Sequence, residues 1–319
     1  DVCSSDLLKQ QEQGTTTGII RGIAARFKEL GFKIGGFNAC LTSNVMVGSG
    51  LSSSASIEVL IGTILNEFYN EGKVAAEQLA IIGQHAENHY FGKPCGLMDQ
   101  MTCAVGGIVS IDFKDTANPL VTKVNFDFST VDYKLLVVDT GGSHADLTDD
   151  YASIPAEMKA VAQFFNATVA RELSREQVIE NIPALRKKVG DRAILRVLHF
   201  LSENQRVLEQ VAALESNDFP AFLQLVQESG NSSFRWLQNC YTIKKPDEQG
   251  VALALKLTED YLRQTTDGAC RVHGGGFAGT IQVFMPTSAV DRYVQEMEGV
   301  FGENSVLVLD IRAVGTMLF

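Results

Sequence analysis

Several stretches of this sequence hold residues whose types and spacing suit chemistry. The run V-G-S-G-L-S-S-S-A-S-I-E-V-L-I-G-T at 47–63 sets Gly48 and Gly50 around Ser49, then Leu51, then Ser52, Ser53 and Ser54. Apolar residues follow at Ile57, Leu60, Ile61, Ile64, Leu65 and Phe68, a spacing that predicts a helix with one buried face. Small and apolar residues alternating over 37–47 predict a strand before it. Strand, glycine-serine loop and helix start together have the chemistry of a polyphosphate cradle. Glycine lets the backbone approach a ligand, and a helix start offers unpaired N–H groups at the positive end of its dipole. A serine hydroxyl there can cap the helix, bond a phosphate oxygen or ligate Mg²⁺. No Gly-Lys-Ser/Thr closes the loop, so it is not a Walker A sequence. A serine-capped buried helix after a turn is the plainer alternative.

Two acids come next. Glu87 falls late on a predicted helix, and Asp99 follows the break G-K-P-C-G at 92–96. Acids flanking a short rigid loop can divide labour, one holding a metal and the other accepting a proton; the alternative is a surface acid and a loop-capping Asp. Asp99 is the stronger candidate because Leu97, Met98 and Met101 around it are apolar. His85 and His89 stand four apart on one helical face, but H-A-E-N-H lacks the H-E-x-x-H order of zinc proteases, and helix-surface histidines are expected. Further on, G-G-G-F-A-G at 274–279, with Gly275 and Gly276 inside it, removes side chains where a backbone or a ligand comes close, and Phe277 anchors the loop. In S-H-A-D-L-T-D-D-Y, the hydroxyl of Tyr151 and the acids before it either bond a polyhydroxylated substrate or cap a helix.

These residues need elements to place them. The pattern predicts one or two helices over 6–30, the helix after the glycine-serine loop, a turn at 70–72 and a helix over 74–90. Short strands are predicted at 108–113 and 135–139. Helices follow at about 154–166, 174–189, 191–214, 218–229 and 247–264, then a glycine-rich hairpin over 269–285, a helix at 288–299 and a strand at 305–311. Strands cluster before 140 and after 268, which puts a domain boundary near residue 130.

The 319 residues suffice for two domains, and 45% hydrophobic with 20% charged residues is a soluble globular composition. A net charge of −11 argues against a nucleic-acid or anionic-membrane surface. No apolar run reaches membrane-span length and no basic-then-apolar leader opens the chain. Six cysteines without a CxxC pair fit reduced thiols, hence a cytoplasmic protein. The chain opens D-V-C-S-S-D-L without an initiator methionine, so an incomplete or processed start is expected.

Taken in order, these motifs resemble the GHMP kinase superfamily and, within it, the galactokinase family. G-S-G-L-S-S-S-A-S at 48–56 resembles the superfamily's second motif, and A-E-N-H-Y-F-G-K-P-C-G-L-M-D-Q at 86–100 resembles the galactokinase segment ending in Gly-(Ile/Leu)-Met-Asp-Gln. G-G-G-F-A-G resembles the third motif, with Ala278 where glycine is usual, and H-F-L-S-E-N-Q-R-V at 199–207 resembles a helical segment of galactokinases. The resemblance runs from Gly14 to the end of the chain. It implies an α/β (α+β) fold of two domains, a ribosomal S5 domain 2-like ATP-phosphate domain at 1–130 and a ferredoxin-like α+β domain at 131–319, with the active site in the cleft between them. It implies ATP-dependent phosphorylation of the C1 hydroxyl of galactose. Residues 48–54, with Gly275 and Gly276, would hold the ATP phosphates; Ser54 and Glu87 would ligate Mg²⁺; Asp99 would accept the sugar proton; Tyr151 would contact the sugar.

Two departures stand out. The family's Asn-Arg-Arg run after the sugar-contacting tyrosine reads Ala-Ser-Ile-Pro at 152–155. The first motif, Gly-Arg-x-Asn-(Leu/Ile)-Ile-Gly-Glu-His-x-Asp-Tyr, which supplies sugar-binding groups and an arginine for the transferring phosphoryl group, is absent from these residues. The 319 residues alone are therefore expected to bind nucleotide weakly, to lack appreciable sugar kinase activity and to aggregate. Readings beside the galactose kinase are a kinase for N-acetylgalactosamine or arabinose, and a non-catalytic sensor of sugar and ATP; the retained Ser54 and Asp99 argue against the sensor.

Overall fold

The computed structural model describes residues 10–45, 51–115, 118–142, 147–265 and 267–318, with Gln10 and Thr265 described in backbone only. They form two compact units, 1–124 together with 311–319, and 125–310. The division falls at 124/125, where the sequence reading puts it near 130, and the last residues return to the first unit.

In the first unit, α1 (Thr16–Glu29) starts at Thr15, whose hydroxyl accepts from the Gly18 N–H. Ile19, Ile23 and Phe27, at intervals of four, are buried against α2 (Ser53–Asn70) and α3 (Ala76–Ala86) through Ile61, Leu65, Leu79 and Ile82. A one-turn π-helix, Glu87–Phe91, extends α3, and α4 (Met98–Val105) buries Leu97, Met101 and Ala104 against Val59 and Ala80. The sequence pattern suggests only a loop at 97–100, because the apolar run of α4 is too short to show periodicity. Strands β1 (Val109–Asp112) and β2 (Leu120–Lys123) pair antiparallel; β2 is missing from the sequence reading, and its side chains are largely exposed.

The strand predicted over 37–47 does not form in its described part. Residues 37–44 have no regular structure and mostly exposed side chains, and a strand without a neighbour leaves its backbone groups unpaired. The final segment docks on α4: Gly107 N–H donates to the Arg312 carbonyl and Thr316 N–H to the Cys103 carbonyl. A Cβ on Gly315 would lie 1.8 Å from the Ala104 carbonyl oxygen, so only glycine permits this approach.

The second unit is built on an antiparallel sheet, ordered β4-β5-β3-β6, from β3 (Tyr133–Asp139), β4 (Ala269–Val272), β5 (Thr280–Pro286) and β6 (Val306–Leu309). Leu136 opposite Val283 and Val138 opposite Ile281 put one apolar face against α10 (Gly250–Thr265) and α11 (Val290–Phe301), where Tyr293 and Met297 close the core. A helical layer, α5 (Thr148–Phe164), α6 (Arg175–Glu180), α7 (Ile182–Lys188) and α8 (Asp191–Glu215), has its own core at Val161, Val178, Leu185 and Val197. Helix α9 (Phe219–Ser232) packs between α8 and β4. No helix among the described residues is long and apolar enough to cross a membrane.

Candidate active site

The start of α2 differs from a capped helix. Ser52 occupies the cap position in a left-handed conformation, φ 59°, and its side chain makes no capping bond. Ser53 and Ser54 open the helix, half-buried like Leu51 and Ser52, and the Ser56 hydroxyl donates to the Ser53 carbonyl. The serine cap of the plainer reading is therefore not made at Ser52. Gly48, Ser49 and Gly50 of the predicted cradle lie outside the described residues.

One turn after Ser54, α2 carries Glu58, which is fully buried. It is the single charged residue between Leu51 and Asn66. Gly83 on α3 makes room for it: a Cβ there would stand 3.1 Å from Glu58 Cβ and 3.2 Å from its Oε2. The side-chain amide of Gln100, also buried, donates through Nε2 to Glu58 Oε2 and to Glu87 Oε2, each at 2.9 Å. Two acids from α2 and the end of α3 are thus tied to one amide on α4. Burial raises the pKa of the Glu58 carboxyl well above the ordinary range, and the neighbouring Glu87 pushes the same way. Glu58 Oε1 and Gln100 Oε1 are buried and make no hydrogen bond.

Glu87 is buried and opens the π-helix, a distortion frequent at functional sites. Its backbone carbonyl accepts from the Gly92 and Lys93 N–H groups, while Lys93 Nζ stands 3.7 Å from its Oε1. The Cys95 N–H donates to Asn88 Oδ1 at 2.7 Å, which holds the loop in place, and Cys95 Sγ lies 3.6 Å from Gln100 Nε2. Burial, with Glu87 next to it, pushes the Cys95 thiol up to about 12. Asp99 lies in the first turn of α4 with its carboxylate exposed, one residue before the amide that binds Glu87. Leu97 and Met101 are buried as expected, whereas Met98 is exposed. His85 and His89 stack at 4.3 Å, and the described residues hold no group of three or more His, Cys, Asp or Glu placed to bind a metal.

A hard divalent cation still suits the first unit. Mg²⁺ keeps several waters, shares substrate phosphates and needs only one or two protein oxygens. Ser54 and Glu87 carry oxygen atoms that can ligate it, and the buried Glu58 carboxyl oxygen without a hydrogen bond belongs to the same amide-linked cluster as Glu87.

In the second unit the loop between β4 and β5 is the predicted hairpin. Gly276, φ +83°, passes so close to the chain at Asn239 that a Cβ would lie 2.0 Å from the Asn239 carbonyl oxygen. Asn239 Nδ2 donates to the Gly275 carbonyl, and the Phe277 N–H donates to the Asn239 carbonyl. Phe277 is buried against Leu147 and Tyr151, so it anchors the loop as the sequence suggests. The Tyr151 hydroxyl donates to the Gly276 carbonyl at 2.7 Å, and burial raises its pKa. A cleft of about 560 Å³ beside this loop is lined by Thr140, Gly142, Thr242, Lys245 and Phe277 among others. The structure therefore groups Ser54, Glu87 and Asp99 in one unit, and Tyr151, Gly275 and Gly276 in the other. Sequence reasoning missed Glu58 and Gln100; the available signal was a lone acid one helical turn after Ser54.

Comparison with known proteins gives three findings. Residues 18–107 match the family described as GHMP kinases N terminal domain. The chain is 32% identical over 281 residues to a galactokinase of Glaesserella parasuis, covering 86% of this chain and 67% of that protein; it is 30% identical over 285 residues to a galactokinase of Streptomyces coelicolor, covering 88% and 69%. Its fold matches Lactococcus lactis galactokinase, solved in complex with galactose, with a TM-score of 0.74 at 23% identity over 97% of this chain and 78% of that one. L. major mevalonate kinase, solved in complex with R-mevalonate, matches more loosely, with a TM-score of 0.56 at 14% identity over 96% of this chain and 79% of that one.

Proposed function

Because the chain belongs to the galactokinase family of the GHMP kinases, we propose that it transfers the terminal phosphoryl group of ATP to the C1 hydroxyl of galactose, giving galactose 1-phosphate and ADP. The observation that carries the roles is the tie from Glu87 to Gln100, which sets a buried acid beside the helix turn that presents Asp99. Asp99 takes the proton from the C1 hydroxyl, whose oxygen then attacks the terminal phosphorus as the bond to ADP breaks. Its exposure leaves it open to substrate, and its place in the first turn of α4 holds it on a packed helix. Ser54 and Glu87 hold Mg²⁺, which when bound neutralises phosphate charge. The backbone of 48–54, at the start of α2, receives the phosphates, with Gly275 and Gly276 supplying the second glycine surface. Tyr151 contacts the sugar, and its bond to the Gly276 carbonyl links that contact to the loop.

Phosphoryl transfer asks mainly for positioning and charge neutralisation: the loop backbone and Asp99 supply the first, and the cation that Ser54 and Glu87 would hold supplies the second. Free thiols at Cys40, Cys95, Cys103, Cys240 and Cys270 support a reducing, cytoplasmic setting for the same reading. The test is galactose-dependent formation of ADP and galactose 1-phosphate by the complete gene product with Mg²⁺ and ATP. Turnover of galactose supports the reading; ATP binding without phosphorylation of galactose overturns it in favour of another acceptor or a sensor.

A further inference from the structure

Gln100 is buried, and its amide makes two bonds of the same kind to two different acids. A side-chain amide can turn over, exchanging its donor nitrogen for its acceptor oxygen. Directed at Glu87 the oxygen would repel the carboxylate; the nitrogen binds it. The second acid helps to hold that orientation, together with Cys95 Sγ at 3.6 Å from the same nitrogen. Glu58 Oε2 accepts from the same nitrogen, and the buried Glu58 side chain packs directly against Gly83. The Gln100 oxygen is left without a partner, so the orientation is set on the nitrogen side, where Cys95 Sγ joins the two acids.

We propose that Glu58 and Gln100 are a pair of positioning residues: Glu58 locks the Gln100 amide, and the amide holds one oxygen of Glu87 so that the other is presented to the cation that accompanies ATP. This rests on the reading that Glu87 is a cation ligand. Neither residue touches substrate; both act through Glu87. Burying an acid on α2 for structure alone is unfavourable, since an apolar side chain of similar size would fill the place beside Gly83 at lower cost. A role in holding Glu87 accounts for its presence.

The experiment titrates Mg²⁺ against ATP binding by calorimetry and records melting temperature without Mg²⁺ for each variant. Gln100→Met removes the amide while keeping length, and Glu58→Leu removes the lock. Both should raise the Mg²⁺ needed for half-maximal ATP binding by about tenfold to a hundredfold, the usual cost of losing a group that orients a metal ligand. Glu58→Gln, whose carbonyl still accepts from Gln100, should stay close to wild type. The melting temperature of Glu58→Leu should not fall, a combination that a merely structural residue would not give. Glu87→Gln separates the two layers. If it shifts the Mg²⁺ dependence while Gln100→Met and Glu58→Leu do not, the positioning role is wrong and the ligand assignment survives. If Glu87→Gln shifts nothing, the ligand assignment falls and the positioning role with it. Should Gln100→Met fail to fold, the contrast between Glu58→Leu and Glu58→Gln decides alone.

Discussion

The ring of Tyr151 occupies the space that a side chain on Gly275 would need: a Cβ there would fall 2.6 Å from Tyr151 Cε1. The same tyrosine donates its hydroxyl to the Gly276 carbonyl and packs edge-on against Phe277, with ring centroids 5.4 Å apart. Helix α5 and the loop between β4 and β5 are therefore interlocked, and a change on either side must be felt on the other.

That interlock separates two glycines that look equivalent in sequence. At Gly275 an added methyl meets the edge of a ring that can shift, so Gly275→Ala should cost about 1–2 kcal/mol of stability. At Gly276 it meets a backbone carbonyl at 2.0 Å, in a left-handed conformation, so Gly276→Ala should cost more than that, about 3 kcal/mol or above. Tyr151→Phe, which removes the hydroxyl bond to Gly276 and keeps the ring, should cost about 1 kcal/mol. Urea unfolding followed by the fluorescence of Trp236, the chain's one tryptophan and a residue of the same unit, ranks the three. Equal effects at the two glycines would contradict the interlock.

Asp99 offers a clean split between chemistry and stability. Its carboxylate is exposed and contributes to the fold only through the first turn of α4, a helix-dipole effect of about 0.3–1 kcal/mol. Asp99→Asn should therefore melt within a few degrees of wild type. Turnover in the complete gene product should fall by about a hundredfold or more, the scale of losing a general base, with ATP affinity kept. Near-normal turnover would reduce Asp99 to a helix-start residue.

The serines at the start of α2 should respond individually. Ser52 holds a left-handed conformation and makes no capping bond, so Ser52→Gly relieves backbone strain and should leave stability equal or higher by up to about 1 kcal/mol. Ser54→Ala should leave stability unchanged and weaken ATP binding in the presence of Mg²⁺ while sparing binding in its absence. Thermal melts paired with nucleotide calorimetry check both. A Ser52→Gly variant that loses stability, even by the few tenths of a kcal/mol that roughly separate serine from glycine as a cap, would show that its hydroxyl caps α2 after all.

Much of this arrangement was legible in the chain. The helices of long period, such as α2 and α8, announce themselves through repeated apolar residues, and the order of the glycine motifs with the segment around Asp99 points to the family. The strand expected over 37–47 did not form in its described part because alternation specifies a face, while a strand also needs a neighbour to bond. Helix α4 and strand β2 are too short for any period to stand out. The Glu58–Gln100–Glu87 tie was hidden for a different reason. Its members are 42 and 13 residues apart in sequence, and only the packing of α2, α3 and α4 brings them to one amide. That the final residues return to α4 could not be read either, since a glycine at 315 gives no hint of the carbonyl it must pass.

His199, in the segment H-F-L-S-E-N-Q-R-V, supplies a prediction about pH. It is buried on α8 with its Nδ1 2.9 Å from the Ser232 hydroxyl, and Arg271 and Arg206 lie near it. Burial first, then those two guanidinium groups, push its pKa down from 6.5 to about 4. The unfolded chain therefore binds a proton on this ring at a pH where the folded chain does not. Folding is favoured fully above pH 6.5, and the contribution is lost as pH falls from there toward 4. At pH 5 the loss amounts to about 2 kcal/mol relative to neutral pH. His199→Gln keeps a polar partner for Ser232 and cannot titrate, so it should remove that part of the acid dependence while costing little at pH 7.5. Urea unfolding of both proteins at pH 7.5 and pH 5, read by Trp236, measures the difference directly. If wild type and variant lose stability equally between the two pH values, His199 is not buried neutral against α9 as the structure has it.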